Sequence, residues 1–448
     1  MNEREQILCA AIDGERVRIL AAERQIWTHP ESGYREWNTH RFMKAQFEEL
    51  GYTVTEAGNI PGFYTDIDTG KPGPTVGVFA EMDSLIVPTH PEADKVTGAV
   101  HACGHNAQCA AMLGVAAALK APNALAGLSG RIRLLLVPAE ELIELEYRSS
   151  LRAEGKIHYF GGKQEFLYRG YLDSVDLSFM IHTGGGKRLG CDRGSNGCII
   201  KVAEFQGRAT HASAPQSAVN ALYAANTALT AANALRETFR DSDFIRFHPI
   251  VTAGGSAVNS IPDRVTVESY IRGATMDAIY AVNRKINRAF AGSAAAIGCG
   301  LRLEDHHGYA PRLNDATLAK VFRAAGENFF APENLGFGDG WGMGCSDMGD
   351  ISCVMPASHP HIGGAAGAGH GADYRIVDPE IACVTSAKTQ SVSLALLLEN
   401  GGALAKEVIA NAKVPYKSKE EYFAAVDSVE RNAPAVTFVD SGSIMLNF

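Results

Sequence analysis

The chain has 448 residues, 46% of them hydrophobic and 20% charged, with a formal net charge of −9. This composition excludes a disordered polyampholyte, and the acidic balance excludes the basic stripe that nucleic-acid binding requires. At roughly 150 residues per domain, the length predicts two or three domains with substantial cores.

Along the chain, polar and apolar residues alternate at helical spacing over 5–25 and again over 37–50, and both stretches read as helices. The run TVTEAG at 53–58 opens a strand-rich region. Apolar runs of strand length follow at 75–80, 131–137 and 175–181, with an Ala-rich helix over 107–120 between the first two. That alternation predicts an α/β fold: a mostly parallel sheet with helices on both faces. The rhythm changes over 194–311. Strands at 198–206, 244–252, 264–272 and 300–305 and helices at 218–240 and 276–290 spell βαββαβ, a smaller α+β domain inserted into the larger one. Strand–helix patterning resumes at Ala316, so the larger domain is expected to comprise 1–193 and 312–448. The longest apolar stretch, 109–119, falls far short of the roughly 20 residues that span a bilayer. The charged start MNEREQIL is unlike a secretory signal. Nine cysteines without a compact framework fit a reducing compartment, and a cytoplasmic protein with no membrane or nucleic-acid partner is expected.

Chemistry concentrates at the predicted strand ends. In HACGHN (101–106), Cys103 and His105 lie two apart, so on extended backbone both side chains point to one side. A thiolate and an imidazole suit a borderline-soft divalent metal, although a lone Cys-x-His is more often a buried pair. The strand at 131–137 runs into Pro138-Ala139-Glu140-Glu141, whose neighbouring carboxylates point opposite ways, one toward a metal and the other toward water. The strand at 175–181 ends at His182, and the one at 75–80 ends at Glu81-Met82-Asp83. Open α/β sheets place their sites beyond such ends. The Gly-rich HIGGAAGAGHGAD (361–373) adds His370; it has neither phosphate-loop pattern, and no G-x-S-x-G elbow occurs. His306-His307-Gly308 reads as structural or surface.

Together, AEMDSL (80–85), HACGHN, PAEE (138–141), His182, THASAPQ (210–216) and SDMGDIS (346–352) followed by His370 resemble the M20 metallopeptidase and amidohydrolase family, in its aminoacylase-like branch. QIWTHPE (25–31), the C-G-H-N form and SDMGDIS are similar to the aminobenzoyl-glutamate hydrolases within it. The resemblance implies that Cys103, His105, Glu141, His182 and His370 hold one or two divalent ions, manganese or zinc, with Cys103 bridging a pair. It implies Glu140 as general base and Asp83 as the carboxylate that orients a ligand imidazole. His211 would stabilise the oxyanion from the lid, reaching the neighbouring subunit of a homodimer or larger homo-oligomer, while Asn259 and Arg272 would hold a substrate carboxylate. The expected reaction is hydrolysis of the amide bond of an N-acyl amino acid or aminobenzoyl-glutamate-like substrate by metal-activated water. Removal of an amino group from an aromatic ring, and a non-catalytic subunit retaining the fold, are the alternatives. Two departures stand out. Asn106, Ala107 and Gln108 replace the family's Asp-Gly-His, and the charged stretch 142–164 looks expanded, as if to reshape the substrate mouth.

Overall fold

The strand Thr75–Glu81 is buried at every position, as its sequence TVGVFAE requires of a strand covered on both faces. In the computed structural model, which describes residues 1–439 and 443–448, it lies inside a six-stranded sheet. The order is Thr55–Glu56, Phe63–Asp68, Arg131–Val137, Thr75–Glu81, Leu177–Phe179, Ala357–Ser358. The first two pairings are antiparallel and the remaining three parallel, so the sheet is mostly parallel with an antiparallel edge. The helix His105–Leu119 is buried along its whole length and packs against the strand Thr75–Glu81 and the helices Glu3–Gly14, Arg16–Trp27 and Ser386–Leu398. Its Ala-rich sequence is what lets so many neighbours approach closely.

The helix expected over 5–25 is two helices, Glu3–Gly14 and Arg16–Trp27. The break falls where Gly14, a weak helix former, precedes Glu15 at φ −95° and ψ 6°. One helical stretch, Glu380–Leu398, is long and apolar enough by composition to cross a membrane, but 78% of it is buried in the protein's own core. Glu23, on the second helix, is also buried, and its carboxylate accepts from Asn106 Nδ2 at 2.7 Å. Burial pushes its pKa up to about 7. A carboxyl raised in the folded state favours folding below its unfolded value and loses that contribution as pH rises through 7. Glu23→Gln is therefore expected to stabilise the protein by up to about 3 kcal/mol at pH 8 and to change little at pH 4, read from thermal melts at both pH values.

Contacts divide the chain into two units. The first comprises Met1–Gly194, Leu313–Trp341 and Ser346–Lys419; the second comprises Ser195–Arg312, Gly342–Cys345 and Glu420–Phe448. The second unit is an antiparallel sheet in the order Arg246–Ala253, Arg264–Gly273, Gly197–Gln206, Gly300–Tyr309, Arg431–Phe438, Ile444–Leu446. The helices Ala221–Ala234 and Met276–Ile297 share its core. The boundary expected between 311 and 312 falls between Arg312 and Leu313, but residues 420–448, expected with the larger domain, belong to the second unit. The strand Arg431–Phe438 pairs with Gly300–Tyr309, and Ala435 and Val436 enter the second core. Glu430 fixes that edge: its carboxylate lies 2.8 Å from His306 Nδ1 and accepts the His307 N–H at 3.1 Å. The His-His pair is thereby structural.

Candidate metal centre

As the chain leaves the strand Thr75–Glu81, Asp83 is fully buried and becomes a two-sided acceptor. Its Oδ2 accepts the Glu141 N–H at 2.8 Å, and its Oδ1 and backbone oxygen lie 3.1 and 2.9 Å from His105 Nδ1. Burial would raise this carboxyl, but the hydrogen bond and charge of His105 and the Glu141 N–H outweigh it and hold it at about 2. With Nδ1 engaged, His105 turns Nε2 toward the centre. Burial alone would lower the imidazole; the charges of Glu81 and Cys103 and the Asp83 hydrogen bond hold it well above its usual value. Between Cys103 and His105, Gly104 starts the helix at φ +89°. A Cβ there would sit 2.4 Å from Tyr374 Oη and 2.9 Å from Thr183 Cβ. Gly104→Ala combines left-handed strain with overpacking and is expected to cost about 2–4 kcal/mol, visible as a lower melting temperature.

The five presumed ligands converge. Cys103, His105 and His182 offer ligand atoms within 4.8 Å of one another, and so do Cys103, Glu141 and His370. Cys103 Sγ lies 3.4 Å from His182 Nε2, and His370 Nε2 lies 3.3 Å from Glu141 Oε1. The Thr183 carbonyl, 2.7 Å from His182 Nδ1, leaves Nε2 to face the sulfur. Burial drops the His182 imidazole to about 4, keeping it neutral as a ligand must be. His105 Nε2 faces Glu81 Oε2 at 3.1 Å and Glu141 Oε1 faces His370 Nε2 at 3.3 Å, and neither buried atom makes a hydrogen bond among the described residues. Nitrogen and oxygen ligand atoms of this kind beside a thiol fit a divalent cation of borderline softness. His370, at φ +64°, is a non-glycine residue in the left-handed region, held by its N–H to the Ala102 carbonyl at 2.9 Å.

Glu140 sits in a loop fixed from several sides. Ala139 adopts φ +58°, and its N–H donates to Glu36 Oε1 at 2.8 Å. The Arg148 guanidinium donates to the Ala139 carbonyl at 3.3 Å, the Phe160 carbonyl at 2.7 Å and the Glu141 carbonyl. Burial, then the charges of Glu81 and Glu141, raise the Glu140 carboxyl well above the usual range.

The charged stretch 142–164 is partly exposed and partly turned into the protein. Its helix Leu145–Ala153 and the start of the helix Gly162–Tyr168 carry Arg148 and Lys163 inward, both fully buried. Lys163 Nζ lies 2.5 Å from Glu81 Oε1 and 2.5 Å from Asp347 Oδ1. Burial, opposed by Lys163 and reinforced by Glu81, pushes Asp347 up to about 7. Glu81 forms a third close group with His105 and Glu140. Sequence reasoning missed Arg148 and Lys163, since neither carries a motif spacing, and Glu81 lay within AEMDSL with no role attached. It also missed His359 and His361, whose rings lie tilted against His182 at centroid distances of 5.5 and 5.4 Å. Asp347 lay within SDMGDIS with no role attached.

The three lid residues all belong to the second unit. His211 forms a bridge with Ser260, and the Ala212 N–H donates to the Asn259 carbonyl at 2.9 Å, so His211 and Asn259 are neighbours. Arg272 lies on the strand Arg264–Gly273, opposite Cys198 and Arg246.

The chain is 28% identical over 366 residues to the Xaa-Arg dipeptidase of Mus musculus, covering 78% of each. It is 26% identical over 331 residues to IAA-amino acid hydrolase ILR1-like 4 of Arabidopsis thaliana, covering 70% of each. Its fold matches the crystal structure of the aminobenzoyl-glutamate utilization protein from Klebsiella pneumoniae with a TM-score of 0.64 at 19% identity, over 87% of this chain and 98% of that one. Residues 62–389, well over half of the chain, match the model of peptidase family M20/M25/M40. The chain belongs to that family and is a hydrolase.

Proposed function

We propose that the chain is a metal-dependent amidohydrolase that cleaves the amide bond of an N-acyl amino acid or aminobenzoyl-glutamate-like substrate. The observation that carries this reading is a buried carboxylate, Glu140, adjoining a ligand set whose two groups share Cys103. The sharing supports a pair of ions, manganese or zinc, held by Cys103, His105, Glu141, His182 and His370. When bound, such ions polarise the scissile carbonyl and acidify water. Glu140, its proton affinity raised by burial, takes a proton from the attacking water as the C–O bond forms. It returns that proton to the leaving nitrogen as the C–N bond breaks. Asp83 holds His105 and the Glu141 backbone in place throughout. The substrate class rests on the names of the relatives, which include a hydrolase of IAA-amino acids and a dipeptidase.

A panel of N-acyl amino acids, aminobenzoyl-glutamate and anilines, assayed with Mn and Zn, tests the reading. Amide cleavage is expected; ammonia released from anilines without amide cleavage would overturn it, as would a protein that binds no divalent ion and turns nothing over. His211, as the oxyanion donor, gives a second check: His211→Ala is expected to lower kcat about 10²–10³-fold without releasing metal. We further propose a homodimer. Support comes from the edge strand Arg246–Ala253, which exposes Ile250 and Val251. Light scattering on a fully active preparation should give twice the chain mass; a fully active monomer would refute the dimer.

A further inference from the structure

The segment following Glu141 buries two cations, an arrangement whose desolvation cost calls for a reason. Arg148 donates to the carbonyls of Ala139 and Glu141, the residues on either side of Glu140, and to that of Phe160. Ala139 adopts a left-handed φ of +58°, and its N–H is held by Glu36 Oε1 while its carbonyl accepts from Arg148, so the backbone leading into Glu140 is bonded from two sides. Lys163 acts from the other side. Its ammonium joins Glu81 at the end of a core strand to Asp347, and its own N–H donates to Asp347 Oδ2 at 2.9 Å. Gln108 Nε2 holds the second Glu81 oxygen at 2.9 Å. Both Glu81 oxygens thus face donors, which makes Glu81 a fixed acceptor in contact range of Glu140 and His105.

We propose that Arg148 and Lys163 are positioning residues for Glu140: Arg148 locks the backbone on either side of it, and Lys163, through Glu81 and Asp347, fixes the carboxylate surface behind it. The two cations define where the Glu140 side chain can lie without touching substrate themselves. This rests on Glu140 being the base, and Glu140→Gln serves as the control for that reading. If Glu140→Gln stays active, the reading of the base fails; if it is inactive while the variants below are unimpaired, the positioning proposal alone fails.

Two variants of the full-length protein carry the test. Arg148→Met removes the fork at similar length. The combined Glu81→Gln/Lys163→Met/Asp347→Asn keeps the shapes but removes all three charges, so no uncompensated ion is left buried and the fold is retained even where a single substitution fails. Each is measured for metal content by mass spectrometry, for melting temperature, and for kcat and KM separately. The expected result is kcat lowered 10- to 100-fold, KM within threefold of wild type and metal content unchanged. Arg148→Lys, which keeps the charge without the fork, should recover less than a third of the lost kcat. Wild-type kcat in either folded variant with full metal content would overturn the proposal. So would loss of metal, because the network would then serve the ligands rather than the base.

Discussion

Glu140→Gln is expected to lower kcat about 10²–10⁴-fold while metal content and KM stay close to wild type. The substitution keeps the volume of a buried side chain and removes only the ability to take up and return a proton. Burial and the charges of Glu81 and Glu141 already press this carboxyl toward its neutral form, so a neutral amide fits its surroundings. A carboxyl raised in the folded state stabilises folding below its unfolded value and ceases to do so as pH rises. The metal-free variant should therefore melt at or above the wild-type temperature at pH 8, which separates lost chemistry from lost structure. A near-native rate in a metal-loaded, folded variant would place the base elsewhere.

The parts of the centre that were legible in the sequence share one property: they lie where a short backbone pattern forces a direction. Cys103 and His105 were expected to share a side on extended backbone; they do meet, but across a left-handed glycine that starts a helix, and Glu140 and Glu141 follow a strand with six consecutive buried residues. The mostly parallel sheet and the βαββαβ unit were legible for the same reason, because burial alternates or persists with the period of the element. Arg148 and Lys163 were not legible. In a linear reading a charged residue on a short helix is a solvated one; the fold turns Arg148 back onto carbonyls of its own loop and brings Lys163 to carboxylates far away in sequence. The closing strand Arg431–Phe438 escaped for a related reason. RNAPAVTF carries a proline and an alternation too weak to identify the sheet it joins, and its partner strand is 122 or more residues upstream.

Cys103→Ala is expected to abolish binding of both ions, whereas His182→Ala and His370→Ala should each leave one. The stoichiometry follows from the geometry: Cys103 belongs to both ligand groups, while each histidine belongs to one. In the ion-free protein, burial and then the Glu141 charge raise the Cys103 thiol well above its usual value. Metal must displace that proton to gain the thiolate, so affinity should fall steadily as pH is lowered. Without the sulfur, this competition at Cys103 disappears, and any residual binding should lose part of its pH dependence. Titration with cobalt offers the direct measurement, since thiolate coordination gives a charge-transfer band that Cys103→Ala must lack. Two equivalents of cobalt retained by Cys103→Ala after dialysis would mean that the two groups do not meet at this sulfur, and the shared centre would have to be abandoned.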